Sequence, residues 1–194
     1  MSAFTWPPES LPGAVDAADD GDSVESAVLV PLFLAGEPLE PHVVLTRRRS
    51  DMRRHAGEIS FPGGRRDAAD ADLAATALRE AEEEIGLARE RVRLIANLPA
   101  TSTLATKYVI HPFVGAIPAG VAWQLSAKEV DAVIELPLSA IRSGRTRTRL
   151  ERRGVSFEID AFAVEDTIVW GATARILESL FEHLASDGAA LDDL

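Results

Sequence analysis

Apolar positions in this chain fall mostly into short runs and alternations, and only two stretches repeat them at helical spacing. SAVLVPLFL (26–34) and HVVLTR (42–47) read as strands separated by the turn-rich AGEPLEP. A short EISF (58–61) runs into the turn FPGG (61–64). Further strands are predicted at 92–98, 108–117, 132–138, 146–153, 155–164 and 167–170, with Arg153-Gly154 as a hairpin tip. The first helix is predicted from about Asp70 or Asp72 to Ile85, because Asp caps helix starts and Gly86 sits where a left-handed stop belongs. The second, over 172–184, places Ile176, Leu177, Leu180, Phe181 and Leu184 on one face. Strands precede, separate and follow the two helices. That order predicts an α/β (α+β) fold with a mixed sheet between helices, rather than a regular βαβ repeat.

The ends are different. Residues 1–22 combine Pro7, Pro8 and Pro12 with Asp16, Asp19, Asp20 and Asp22, which predicts an irregular N-terminal arm with Trp6 free to dock. The main domain is expected over 23–186, followed by a frayed tail at 187–194. With 194 residues, 46% of them apolar, the chain is of single-domain size and can bury a sizeable core. No apolar run approaches the roughly 20 residues of a membrane span, and the N-terminus carries no signal-peptide pattern; the cytoplasm is the expected location. There is no cysteine, which excludes disulfides, thiolate metal sites and cysteine nucleophiles. A net charge of −11 argues against coating nucleic acid. Small anionic ligands remain compatible, because five of the 20 basic residues crowd into 47–54 and six into 142–153.

The acidic excess is concentrated on the first helix. At about 100° per residue, Glu80, Glu83 and Glu84 share one stripe, and Glu82 lies nearly opposite, towards solvent. Ala74, Ala77, Leu78, Ala81 and Ile85 form a buried face of mostly small residues, suited to close approach to a sheet. Three carboxylates on one stripe repel unless they are protonated or neutralised. Oxygen-ligated Mg²⁺ or Mn²⁺ neutralises such a set and shares its coordination with phosphates; a solvated acidic face is the alternative reading. Arg79, four residues before Glu83, can orient a carboxylate. Gly63 and Gly64 allow a backbone group to come close to a ligand, or simply make a turn.

Together these segments resemble the Nudix hydrolases. Arg79-Glu80-Ala81-Glu82-Glu83-Glu84-Ile85-Gly86-Leu87 fits the second half of that family's box. The first half departs: after Gly64 and five intervening residues stands Asp70 instead of Glu, and eight residues instead of seven then precede Arg79. LTRRRSDMRRHAGEISFPGG (45–64) resembles the extra motif of the coenzyme A pyrophosphatase branch, with Thr46, Arg48, Arg53, Gly57, Phe61, Pro62, Gly63 and Gly64 in register. Val44 stands there for a Leu, and Arg49 for the usual Ser or Ala. IVWGATARIL (168–177) is similar to the same branch.

The resemblance implies a Nudix-type α/β/α sandwich. It also implies metal-dependent hydrolysis of a nucleoside diphosphate derivative, with coenzyme A yielding 3′,5′-ADP and 4′-phosphopantetheine. ADP-ribose or a dinucleotide is the alternative substrate, and a non-catalytic ligand-binding or sensor domain the alternative class. Glu80 and Glu84 are expected as main metal ligands, Glu83 as third ligand or base, and a Gly63 or Gly64 carbonyl as completing the site. Glu129 is the best distal base, ahead of Glu135. Arg48 and Arg53 are expected on the substrate phosphates, with His55 between them in a binding or structural role and Gly63 lining the substrate. Arg145, Arg147 and Arg149 share a strand face and read chiefly as solvated; a 3′-phosphate or a second subunit in a homodimer is their alternative partner. Trp123, Tyr108 and Phe113 read as core before adenine stacking.

Overall fold

A computed structural model describes residues 23–51, 57–103, 107–152 and 155–186. The main sheet is built on β1 (Val24–Ala35), flanked on one side by β2 (Glu40–Arg48) and on the other by β7 (Tyr108–Ala116). β1 runs antiparallel to β2 and parallel to β7, from Val24↔Tyr108 to Leu32↔Ala116. β5 (Arg93–Asn97) and β6 (Thr101–Ser102) extend the β7 side, and β8 (Val130–Pro137) lies along the far edge of β2. The mixed sheet expected from the order of elements is therefore present.

One detail of the pairing positions everything that follows. β1 and β2 pair only from Leu32↔Val43 to Ala35↔Glu40, and then diverge. Two very short strands fill the fork. β3 (Ile59–Ser60) pairs with β2 at Thr46 and Arg47, and β4 (Gly63–Arg65) pairs with β1 from Ser26 to Val28. Phe61-Pro62 crosses between them, and the Leu29 N–H donates to the Pro62 carbonyl at 2.9 Å.

Alternation in the strands supplies two cores, one on each face. Leu29, Phe33 and Val44 face helix α1 (Leu73–Ile85), where Ala77, Ala81 and Ile85 are fully buried. Val30, Leu32, Val43 and Leu45 face the opposite layer of α2 (Leu138–Ser143) and α3 (Gly171–Ser186). This is the sandwich that the resemblance implies. Two elements go beyond the sequence reading. α2 is a six-residue helix that period analysis did not register. The late strands β9 (Arg145–Arg152), β10 (Val155–Val164) and β11 (Thr167–Trp170) form their own antiparallel sheet instead of joining the main one. The Arg152↔Val155 register agrees with the hairpin, whose tip at Arg153-Gly154 lies outside the described residues, as do the arm, Trp6 and the tail.

α1 begins and ends where its flanking residues require. Asp72 caps it, its side chain accepting from the Ala75 N–H at 2.7 Å, so Asp70 is not the cap. Gly86 closes it at φ 69°, and its N–H bonds back into the last turn. The buried face is centred on Ala77, Ala81 and Ile85 and takes in Thr76 and Glu84, while Ala74 and Leu78 are half-buried. Among the described residues no helix is long and apolar enough to cross a membrane.

Candidate active site

The fork in the sheet brings β4 against the middle of α1. Gly64 lies so close to the helix that a Cβ there would sit 2.5 Å from the Glu80 carboxyl carbon. Gly63, one residue earlier, is pressed against β1: its Cβ would meet the Ala27 carbonyl oxygen at 2.4 Å and the Val28 Cα at 2.6 Å. The two glycines thus do different jobs. One lets the strand reach β1, and the other leaves room for a carboxylate.

The three expected ligands do not share one environment. Glu84 is 3% exposed, at the sheet-facing side of the stripe. Burial is the main cause that pushes its carboxyl up to about 8; the charges of Glu129 and Glu80 add to this, and Arg48 and the Gly63 N–H oppose it. Glu80 is half-buried, and burial raises its carboxyl as well, against the pull of Arg79 and with Glu83 and Glu129 adding. Glu83 is the outer member, its side chain 61% exposed and held by Arg79 Nη1 at 3.1 Å. Among the described residues no three carboxylate or imidazole groups are gathered into a formed metal cage. Two glutamates point inward, and the negative charge of Glu129 bears on both.

Arg79 is the hub of the helix surface. Its Nε and Nη2 donate to Asp70 Oδ1 and Oδ2 at 2.9 and 3.1 Å, a two-pronged pairing. Nη2 also pairs with Glu80 Oε1 at 3.0 Å and donates to the Arg65 carbonyl at 3.2 Å. Thr76 Oγ1 donates to Asp70 Oδ2 at 2.8 Å. Asp70, at the position where the sequence departs from the family pattern, therefore anchors the arginine that orients Glu80 and Glu83. The Arg79 guanidinium holds the Asp70 carboxyl well below the ordinary carboxylate range. The charge of Asp70 thus stabilises the fold above about pH 4, the unfolded value, and loses that effect as acid approaches the lower folded value. Asp70→Asn is expected to cost about 2 kcal/mol at neutral pH, between the ranges for surface and buried pairs. Denaturant melts at pH 7 and pH 3 check this: the gap to wild type narrows on acidification.

The remaining predicted residues divide. Arg48 Nη1 lies 3.8 Å from Glu84 Oε1, so Arg48 faces the inner carboxylate, and its Nε is buried without a hydrogen-bond partner. Arg53 and His55 lie outside the described residues. Glu129 stands on an exposed turn docked on the end of α1, where the Ser126 N–H donates to the Glu84 carbonyl at 2.8 Å and the Gln124 N–H to Ile85 at 3.0 Å. Glu135 accepts from Trp123 Nε1 at 2.7 Å, and Trp123 and Phe113 pack against the α1-side core. Arg147 and Arg149 stand directly across β9–β10 from Asp160 and Glu158 and pair with them, and Arg145 pairs with Glu178. All three are more than half exposed, which is the solvated face expected of them. The residue that sequence reasoning undervalued is Asp70. The signal was present, an acid retained one step out of register, but its meaning needed the 66–72 loop to fold back onto α1.

Comparison with known proteins speaks for the family and the fold. The family model described as the NUDIX domain matches residues 24–155. A protein named uncharacterized Nudix hydrolase NudL, from Salmonella paratyphi B, is 40% identical over 158 residues, 80% of each chain. Its counterpart from Salmonella newport matches equally well. Among solved structures, a MutT/nudix family protein from Enterococcus faecalis is similar with TM-score 0.58 and 15% identity, over 89% of this chain and 66% of that one. The NUDIX domain of Shewanella oneidensis NrtR, complexed with ADP ribose, is similar with TM-score 0.57 and 15% identity, over 84% of this chain and 88% of that one. At these identities the two structures speak for the fold.

Proposed function

The chain belongs to the Nudix hydrolase family, whose reaction is hydrolysis of the diphosphate linkage in a nucleoside diphosphate derivative, and we propose that its substrate is coenzyme A and its cofactor Mg²⁺ or Mn²⁺. The observation that carries the reading is the inward pair Glu80 and Glu84 beside Gly63-Gly64, with Arg48 facing the inner carboxylate. The metal fits on the chemistry of the residues. The donors are all oxygens, Glu84 is buried with only partial compensation, and neighbouring carboxylates make Glu80 and Glu84 harder to ionise. Glu80 and Glu84 would hold the metal, with Glu83 as the outer ligand and a carbonyl of the glycine turn beside them. When bound, the cation neutralises phosphate charge, acidifies an attacking water and aligns the leaving group.

The rest of the reaction falls to the chain's own side chains. Arg48 presents its guanidinium to a diphosphate oxygen, where it offers paired donors. Arg53 and His55, farther along the same motif, are assigned to the remaining phosphate contacts. Arg79, fixed by Asp70, keeps Glu80 from turning outward. Glu129 takes the proton of the attacking water, because its charge bears on both inner carboxylates and its turn is docked on Glu84, while Glu83 is assigned to the metal. The coenzyme A assignment rests on the 45–64 motif, which supplies Arg48 and the glycine turn together.

A substrate panel tests the reading. With Mg²⁺ or Mn²⁺, coenzyme A is expected to yield 3′,5′-ADP and 4′-phosphopantetheine faster than ADP-ribose or a dinucleotide is cleaved. Product analysis in ¹⁸O-labelled water identifies the phosphorus attacked. Faster cleavage of ADP-ribose overturns the substrate, and binding without turnover of any member overturns the activity.

A further inference from the structure

Arg49 occupies the position where the branch motif carries Ser or Ala, and the structure gives it work that neither could do. Its Nη1 donates to the Ala127 carbonyl at 2.5 Å, 78 residues away in sequence. Its Nε and Nη2 are held at 2.8 and 2.6 Å by the two oxygens of Asp51, which fixes the plane of the guanidinium. Its backbone N–H donates to the Glu129 carbonyl at 3.1 Å. Next to it, the Ser50 N–H donates to Asp131 Oδ2 at 3.2 Å, where β2 and β8 slip register between Arg47 and Arg48. The turn at 126–130 is closed by the N–H groups of Glu129 and Val130, both donating to the Ser126 carbonyl at 3.0 Å. One side of this turn is tied to α1 through Ser126 and Glu84, and the other side is tied to the end of β2 through Arg49.

We infer that Arg49 is a positioning residue that clamps the 126–130 turn and so holds Glu129 beside Glu80 and Glu84. The inference rests on the reading of Glu129 as the base and extends it to a residue outside the acidic helix. Ser or Ala at 49 would keep the main-chain bond to Glu129 and lose the side-chain bond to Ala127. The turn would then keep its main-chain ties at its two ends, to α1 through Ser126 and to β2 through Glu129, and lose the side-chain tie at Ala127 between them.

Two measurements decide it. In metal-free protein, Arg49→Ser is expected to speed hydrogen exchange at the Glu129 and Val130 amides by about tenfold, the change produced by losing roughly 1.4 kcal/mol of local stability. Kinetically, Arg49→Ser is expected to lower kcat about tenfold with KM little changed, and to have no further effect in a Glu129→Gln background. Arg49→Lys, which keeps a donor within reach of the Ala127 carbonyl, recovers most of the loss. Unchanged exchange at both amides overturns the clamp. Equal losses of kcat in the two backgrounds also overturn it, since Arg49 would then act elsewhere. Failure of the hydrolase reading looks different: wild type would turn over no member of the panel, or Glu84→Gln and Glu129→Gln would turn over like wild type, while amide exchange still answers for the clamp.

Discussion

Replacing Glu84 by Gln is expected to lower turnover at least about a hundredfold and, in metal-free protein, to raise stability by an amount that grows with pH. The two effects share one cause, a carboxylate placed where only a cation makes it comfortable. Glu84 is buried, and without metal its carboxyl titrates at about 8 instead of the ordinary 4.5. Between those values the unfolded chain has released the proton and the folded chain still holds it. Raising the pH through that window therefore draws the wild-type protein towards unfolding. Below it the penalty is absent, and above it the penalty is complete. Gln carries no such penalty at any pH. Denaturant melts in chelator at pH 5, 7 and 9 should show the variant gaining on wild type across the series. Added Mg²⁺ should reverse the order, because the cation binds the ionised form that the wild type alone can offer. A gap that stays flat with pH, or turnover within a few-fold of wild type, removes Glu84 from the metal site.

The second large effect separates two neighbouring glycines. Gly63→Ala is expected to destabilise the fold by about 3 kcal/mol or more, since the new methyl meets the carbonyl and Cα of β1, and backbone cannot step aside. For a chain of this size that lowers Tm by about 6–12 °C. Gly64→Ala meets the end of the Glu80 side chain, which can swing away by giving up its contact with Arg79. Its stability should fall by less than about 1 kcal/mol while turnover falls strongly, because the displaced carboxylate is the one proposed to hold the metal. Parallel thermal melts and single-turnover assays of the two variants check the contrast. Equal destabilisation of both would mean that Glu80 is not free to move, and retained activity in Gly64→Ala would deny it a role at the metal.

How far the sequence foretold these features depended on how local their causes are. The ends of α1 follow from Asp72 and Gly86, each acting within one turn, and both were legible. The inward set of Glu80 and Glu84 was half legible. The helical arithmetic put three glutamates on one stripe, but it took the sheet to show that Glu84 lies on the buried margin and Glu83 on the outer one. α2 escaped because LSAIRS, six residues after Pro137, is too short to display a period. Strands β9 to β11 were each recognisable. That they form a sheet of their own was not, because pairing between strands is a long-range choice that alternation within a strand does not encode. Asp70 and Arg49 share that limit: each is a departure from a motif, and each finds its meaning in a partner reached only after folding.

The parting of β1 from β2 has a consequence for how such a protein can change over evolutionary time. The inner carboxylates and the glycine turn are rooted in the gap itself, where small changes of position are severely limited by the neighbouring backbone. The 49–51 and 121–129 segments lie outside it, joined to the frame by a handful of hydrogen bonds. Lengthening or rewriting those segments alters what is recognised without redrawing any strand, so a lineage built on this frame can exchange one diphosphate for another while its cleaving apparatus stays in place.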